Sequence, residues 1–308
     1  MPELPEVETV RRQLEPELQG RVIDALEVLD PKWTEPTPPE TLVAALAGRR
    51  IEGLGRRGKY LLLCLDRDET LVMHLRMTGN LLLAPASDGA PDADAAPTAR
   101  WPDEPTARPW AGDGRHLRAR LRLAGGGELW FTDPRRFGRA FIASESELQT
   151  YLDARLGVEP LAPDFTPDLL AAVSAGRTAP LKSFLLDQSR LAGVGNIYAD
   201  EALFRAELHP LSPAGSMRAE HHRALHAGVI AALRAGIEFG GASINDYRDS
   251  RGESGSMQDE FLVHRRGGEP CPTCETSIDR IVVSGRATYY CPACQIRLRR
   301  RKPRSAPG

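Results

Sequence analysis

Four cysteines near the C-terminus constrain this chain more than any other feature. Cys271-x-x-Cys274 and Cys291-x-x-Cys294 are separated by sixteen residues. A two-residue gap lets both thiolates of a pair reach one tetrahedral ion, and four sulfurs suit Zn2+ with no coordination position left open. A closed four-sulfur site does no Lewis-acid chemistry, so the expected cofactor is one structural Zn2+. The residues it would hold, Ile281-Val282-Val283 and Ala287 to Tyr290 around Ser284-Gly285, read as a two-stranded hairpin. The N-terminus lacks a secretory apolar stretch, which argues against disulfides. The fifth cysteine, Cys64, lies in the apolar run Tyr60–Leu65 and reads as a small core residue.

No apolar run reaches the roughly 18 residues of a membrane span, so a soluble cytoplasmic protein without a membrane partner is expected. The chain has 308 residues, enough for two domains of roughly 100–200 residues each. Its net charge of −2 conceals an asymmetry. From His264 onward ten Arg and Lys face three acids, a net of +7, whereas from Ala84 to Gly114 six acids face two arginines, a net of −4. The basic end can bind phosphates locally, or it can be an ordinary solvated run.

Val7, Val10, Leu14 and Leu18 recur at helical spacing before Gly20, predicting a short N-terminal helix. Strand-like runs follow at 22–29, 59–65, 70–74, 79–84, 117–123, 128–132 and 139–142, joined by glycine turns. This pattern suggests a β-sandwich or barrel. The Ala-, Pro- and Asp-rich stretch at 85–114 has no periodicity and reads as a disordered insertion. From Ser144 the character turns helical, with a capping-box spacing to Glu147 and an N-cap at Thr166-Pro167-Asp168. Further helices are expected near 180–187, 196–206 and 216–238. The resulting fold class is α+β. A β domain spans 2–143, a helical domain 144–263, a zinc finger 264–298 and a basic tail 299–308.

The opening Pro2-Glu3-Leu4-Pro5-Glu6-Val7-Glu8 can be read as a proline-capped helix start with acids favouring its dipole. It can also be read as chemistry. A Met before Pro is normally trimmed, which leaves Pro2 with a free secondary amine. Its reference pKa of about 7.7–8.0 lies far below the roughly 10.4 of lysine, so a useful fraction is neutral near pH 7. Such an amine can attack a sugar C1′, expel a base and form an iminium, and Glu3 can protonate the opening sugar oxygen.

Five further segments occur in one order with this opening: Arg57-Gly58-Lys59-Tyr60, Asp133-Pro134-Arg135-Arg136-Phe137-Gly138, Gly193-Val194-Gly195-Asn196-Ile197-Tyr198, Arg286-Ala287-Thr288-Tyr289-Tyr290-Cys291 and the cysteine tail. Together they resemble the bacterial formamidopyrimidine-DNA glycosylase family over nearly the whole chain. The endonuclease VIII branch usually begins PEGPE, and Leu4 favours the first branch. The resemblance implies a β-sandwich followed by a helical domain with a helix–two-turn–helix motif and a zinc hairpin. It also implies a monomeric bifunctional glycosylase and lyase acting on double-stranded DNA with oxidised purines or abasic sites. Pro2 would be the nucleophile and Glu3 the general acid, with Glu6 supporting the pocket. Lys59 would bind phosphate near the lesion and assist elimination, and Arg286, at the tip of the zinc hairpin, would grip the flanking phosphates and assist the second of the two eliminations, β then δ. Met77, Arg135 and Phe137 would fill the gap left by the flipped base, an apolar wedge with a cationic partner. Arg136 belongs to the same DNA-binding motif, Asn196 would contact the DNA backbone, and Lys182 would either contact phosphate or be solvated.

The chain departs from the family pattern in four places. The insertion interrupts the β domain, and the expected DNA-contacting histidine aligns at Gly114 or His116. The loop from Ser243 to Asp259 is Gly- and Ser-rich. His264-Arg265-Arg266 stands where the family often has Tyr-Gly-Arg, and a basic run, Arg299–Lys302, follows the last knuckle. Two rival functions stay open at this stage: an endonuclease VIII-type enzyme for oxidised pyrimidines, and a catalytically silent lesion-binding protein.

Overall fold

The computed structural model describes residues 1–84, 116–244 and 246–299; the predicted insertion and all but the first residue of the basic tail lie outside the described residues. The chain forms two compact units, Met1–Leu152 with Gly240–Ser256, and Asp153–Phe239 with Met257–Gly308.

The first unit opens with helix α1 (Leu4–Leu18). Pro5 occupies its first turn, where a missing N–H costs nothing. Val7, Val10, Leu14 and Leu18 form its apolar stripe and are all fully buried. Two four-stranded antiparallel sheets follow. One has the order β1-β6-β7-β5, built from Ile23–Val28, Leu117–Leu123, Glu128–Thr132 and Asn80–Ala84. The other has the order β2-β3-β4-β8, built from Ile51–Arg57, Tyr60–Leu65, Glu69–His74 and Arg139–Ser144. Leu121, Leu129 and Phe131 of the first sheet share one core with Leu61, Leu63 and Leu71 of the second and with the α1 stripe. Full burial of such side chains contributes about 1.5–3 kcal/mol each, so this shared core stabilises the unit. Helix α2 (Pro39–Leu46) and strand β2 were not anticipated from the sequence. Helix α3 (Glu145–Asp153) carries the expected cap, with the Ser144 N–H donating to Glu147 Oε2 at 2.9 Å.

The second unit contains α4 (Pro167–Ser174), α5 (Leu181–Leu186), α6 (Asn196–Arg205) and α7 (Ala219–Glu238). Thr166 caps α4, its hydroxyl accepting from the Leu169 N–H at 3.2 Å. Strands β9 (Asp279–Val283) and β10 (Arg286–Tyr290) pair antiparallel, with Val283 opposite Arg286. Ser284 and Gly285 both have positive φ, 49° and 74°, as a two-residue turn matched to strand twist requires. This is the hairpin expected from the cysteine spacing. Among the described residues no helix is long and apolar enough to cross a membrane.

Candidate active site and zinc centre

In the first unit, Pro2, Glu3 and Glu6 are buried at the start of α1. Glu6 faces two ways. Its Oε2 accepts the Glu3 N–H at 2.7 Å, which fixes the backbone beside Pro2, and its Oε1 accepts the Ala242 N–H at 2.8 Å. The 240–256 segment is thereby tied to the helix that carries Pro2. Gly241 makes the approach possible: its φ is +84°, and a Cβ there would lie 2.8 Å from Glu6 Cγ. Gln13 extends the attachment, donating to Asp249 at 2.7 Å and accepting from the Ser250 N–H at 3.0 Å.

Lys59 is buried, with 6% of its surface exposed, at the turn between β2 and β3. A chain of charge leads there from α1. Glu8 accepts from Arg56 Nε at 3.1 Å, and Arg56 Nη1 donates to the Gly58 carbonyl at 3.0 Å. Burial would raise the Glu8 carboxyl, but hydrogen bonds from Arg11 and Arg12 and the charges of Arg11 and Arg56 outweigh it and bring its pKa to about 2. His74 lies opposite Tyr60 in the sheet, rings 4.7 Å apart. Burial, then the positive charges of Arg76 and Lys59, push its pKa down to about 3. A neutral imidazole fits its acceptance of the Arg76 N–H at Nδ1, 2.9 Å away. Lys59 therefore has an uncharged histidine near it.

Met77 and Phe137 are exposed by 36% and 46%, unusual for large apolar side chains. The Arg135 guanidinium sits 4.8 Å above the Phe137 ring. Arg136 has a different setting from its neighbours: its guanidinium grips Asp30 at 2.6 and 2.8 Å. Two residues without an assigned role in the sequence, Thr78 and Asp133, are buried between these segments. The Asp133 carboxylate accepts from Thr78 Oγ1 and from the backbone N–H groups of Arg135, Phe137 and Gly138. Their sequence signal was position alone: Thr78 follows Met77, and Asp133 opens the segment that carries Arg135 and Phe137. His116 is described, half-buried, with its carbonyl accepting the Asp133 N–H at 2.8 Å.

In the second unit, Asn196 opens α6 and donates from Nδ2 to the Ala287 carbonyl of β10 at 3.0 Å. The residue beside Arg286 is thus fastened to the two-turn segment, while Arg286 itself is exposed. Lys182 departs from expectation. Its side chain has no exposed surface, and Nζ donates to Asp200 Oδ1 at 2.7 Å and to the Asn196 carbonyl at 2.6 Å. An ammonium compensated inside the unit is a structural prop beneath Asn196 rather than a phosphate contact. His264 completes the group, its Nδ1 lying 2.7 Å from Asp200 Oδ2. Next to it, Glu201 Oε1 accepts from three successive backbone N–H groups, those of Leu262, Val263 and His264.

The four cysteine sulfurs lie within 4.8 Å of one another. Cys271 and Cys294 are 3.9 Å apart, and Cys274 and Cys291 are 3.5 Å apart. A tetrahedron with Zn–S bonds of about 2.3 Å has an edge of about 3.8 Å, so the cluster fits one structural Zn2+. The metal would be held by Cys271, Cys274, Cys291 and Cys294, and would fix the base of the β9–β10 hairpin.

Three family models match consecutive parts of the chain. They are the formamidopyrimidine-DNA glycosylase N-terminal domain over residues 1–140, the formamidopyrimidine-DNA glycosylase H2TH domain over 156–248, and a zinc finger found in FPG and IleRS over 268–296. Formamidopyrimidine-DNA glycosylase from Chloroflexus aurantiacus is 46% identical over 297 residues, covering 96% of this chain and 98% of the relative. That from Azorhizobium caulinodans is 43% identical, covering 96% of this chain and 100% of the relative. Among solved structures, a Lactococcus lactis Fpg variant in complex with Fapy-dG-containing DNA superposes with a TM-score of 0.81 at 36% identity, covering 96% of this chain and 99% of that one. The same organism's Fpg with abasic-site DNA gives 0.81 at 35% identity, covering 95% and 99%. Sandwich, H2TH helices and four-cysteine finger define a DNA glycosylase of DNA repair. The chain belongs to the formamidopyrimidine-DNA glycosylase family.

Proposed function

We propose that the protein is a bifunctional glycosylase and AP lyase that removes oxidised purines, 8-oxoguanine and formamidopyrimidines, from double-stranded DNA. The observation that carries this reading is the buried Pro2–Glu3 pair at the head of α1, with Lys59 on a turn bonded to the same helix. After loss of Met1, the neutral Pro2 amine attacks C1′ of the flipped nucleotide as the bond from C1′ to the base breaks; the base leaves with the bonding pair and takes up a proton from water, and the Pro2 nitrogen gives up its own proton. Glu3 donates a proton to the ring oxygen as the C1′–O4′ bond opens, and the nitrogen lone pair completes the iminium. Loss of a proton from C2′ then expels the 3′ phosphate, and a second elimination expels the 5′ phosphate, leaving a one-nucleotide gap. In this reading Lys59 neutralises charge at a phosphate beside the lesion, Arg286 grips the flanking phosphates, and Asn196 holds the DNA backbone. Met77, Arg135 and Phe137 occupy the vacated stack. The enzyme acts as a monomer on cytoplasmic, nucleoid-associated DNA.

Borohydride reduces an iminium to a stable amine, so it converts the intermediate into a permanent crosslink. Trapping on an 8-oxoguanine:cytosine duplex, with mass spectrometry of the crosslinked peptide, should place the adduct on residue 2. An adduct elsewhere, none at all, or a retained Met1 would refute the mechanism. Release of thymine glycol alone, with 8-oxoguanine untouched, would refute the substrate assignment.

A further inference from the structure

The proposed wedge comes from two separate stretches of chain, and one buried carboxylate holds both. Met77 precedes Thr78 between β4 and β5, whereas Arg135 and Phe137 lie between β7 and β8. Asp133, with no exposed surface, accepts the Thr78 hydroxyl from the first stretch. From the second it accepts the N–H groups of Arg135 at 3.1 Å, Phe137 at 2.8 Å and Gly138 at 2.7 Å. A carboxylate offers about four lone-pair sites, and these four donors fill them. The Thr78 oxygen in turn accepts the Arg135 N–H at 3.3 Å, so the network also crosses directly between the stretches.

Packing makes the same connection independently. A Cβ on Gly79 would lie 2.9 Å from Phe131 Cζ, and a Cβ on Gly138 would overlap the same ring. Both stretches close on a single phenyl group, which requires glycine in each. Neither Thr78 nor Asp133 has a step to perform in the base-excision chemistry.

We infer that Thr78 and Asp133 are positioning residues that lock Met77, Arg135 and Phe137 into one preassembled wedge; the inference rests on the glycosylase reading above. Two independently mobile stretches would each have to be ordered as the stack opens, and that ordering opposes insertion. A tethered pair meets the DNA already ordered. The tether therefore matters for lesions that must be unstacked and little for sites that have already lost their base.

Thr78→Val removes the hydroxyl while leaving the bonds from Asp133 to the 135–138 loop. Single-turnover excision of 8-oxoguanine from an intact duplex should fall about tenfold to a hundredfold, the scale of a misplaced positioning group. Brightening of a 2-aminopurine placed beside the lesion should slow in step. Cleavage of an abasic-site duplex should change by no more than about twofold, because uniform loss would lower both rates alike. Thr78→Ser should restore duplex excision. Asp133→Asn keeps an acceptor for Phe137 and Gly138 and should give an intermediate defect with the same preference for the intact duplex. An equal fall on both substrates, no fall at all, or failure of the serine variant to restore excision would each overturn the inference while leaving the glycosylase reading standing. A wild-type enzyme inactive on both substrates would refute that reading, and the inference with it.

Discussion

Lys182→Met tests whether a buried charge group supports the Asn196 turn. Lys182, Asp200 and His264 are exposed by 0%, 1% and 5%. The methionine keeps most of the volume but removes the donor at 2.7 Å from Asp200 and the donor at 2.6 Å from the Asn196 carbonyl. Removing one partner of a buried ion pair costs about 3–5 kcal/mol, because the other charge stays buried without compensation. His264 still faces Asp200 at 2.7 Å, which places the expected loss near the lower end, about 3 kcal/mol. Urea unfolding followed by hydrogen exchange in α6 measures it. The double variant K182M/D200N removes both charges, and its asparagine can still accept from His264. It should be more stable than K182M alone, a non-additivity that a loose surface lysine would not show. A K182M loss below about 1 kcal/mol, or a double variant no better than the single, would refute the buried-charge argument.

Three further outcomes follow from the site. Glu8 titrates near 2 rather than its usual 4.5, so its ionised form contributes stability fully above about pH 4.5 and loses it as pH falls toward 2; Glu8→Gln should flatten that window in acid-unfolding curves. His74, held neutral down to about 3 against an ordinary 6.5, contributes stability fully above about pH 6.5, and this is eroded as pH falls toward 3; His74→Gln should flatten that second window. Chelation of the zinc, monitored with a colorimetric indicator, should loosen the β9–β10 hairpin and weaken DNA binding by at least about tenfold, with the α1 core still folded by near-ultraviolet dichroism.

How much of this was legible in the sequence depended on how local each signal was. The zinc cluster was fully legible, since ligand spacing and hairpin geometry are fixed within some twenty-four residues. The α1 stripe and most strands were legible because one buried face imposes its period on the sequence. Strand β2 was not: Gly53, Gly55, Arg56 and Arg57 dilute its apolar pattern, and pairing with β3 makes it a strand. Helix α2 hid behind Pro38-Pro39, although proline at the first helical position is compatible with a helix start.

The site divides along the same line. Residues whose identity carries chemistry, such as Pro2 or Lys59, stand out alone or through motif order. Lys182 and Asp133 do not, because their roles depend on burial and on partners distant in sequence. For Lys182 those partners, the Asn196 carbonyl and the Asp200 carboxylate, lie 14 and 18 positions away, and Asp200 is itself met by His264, 64 positions further on. Burial turned a lysine expected at a phosphate or in solvent into an internal counter-ion, and it made Asp133, which the sequence shows only as the first residue of a motif, the acceptor that joins two stretches of chain. Charge in a sequence therefore locates a DNA-binding face only after the buried charges are subtracted. Of the cations proposed to meet DNA, Lys182 is buried against Asp200 and Arg136 is held by Asp30, whereas Arg286 is exposed.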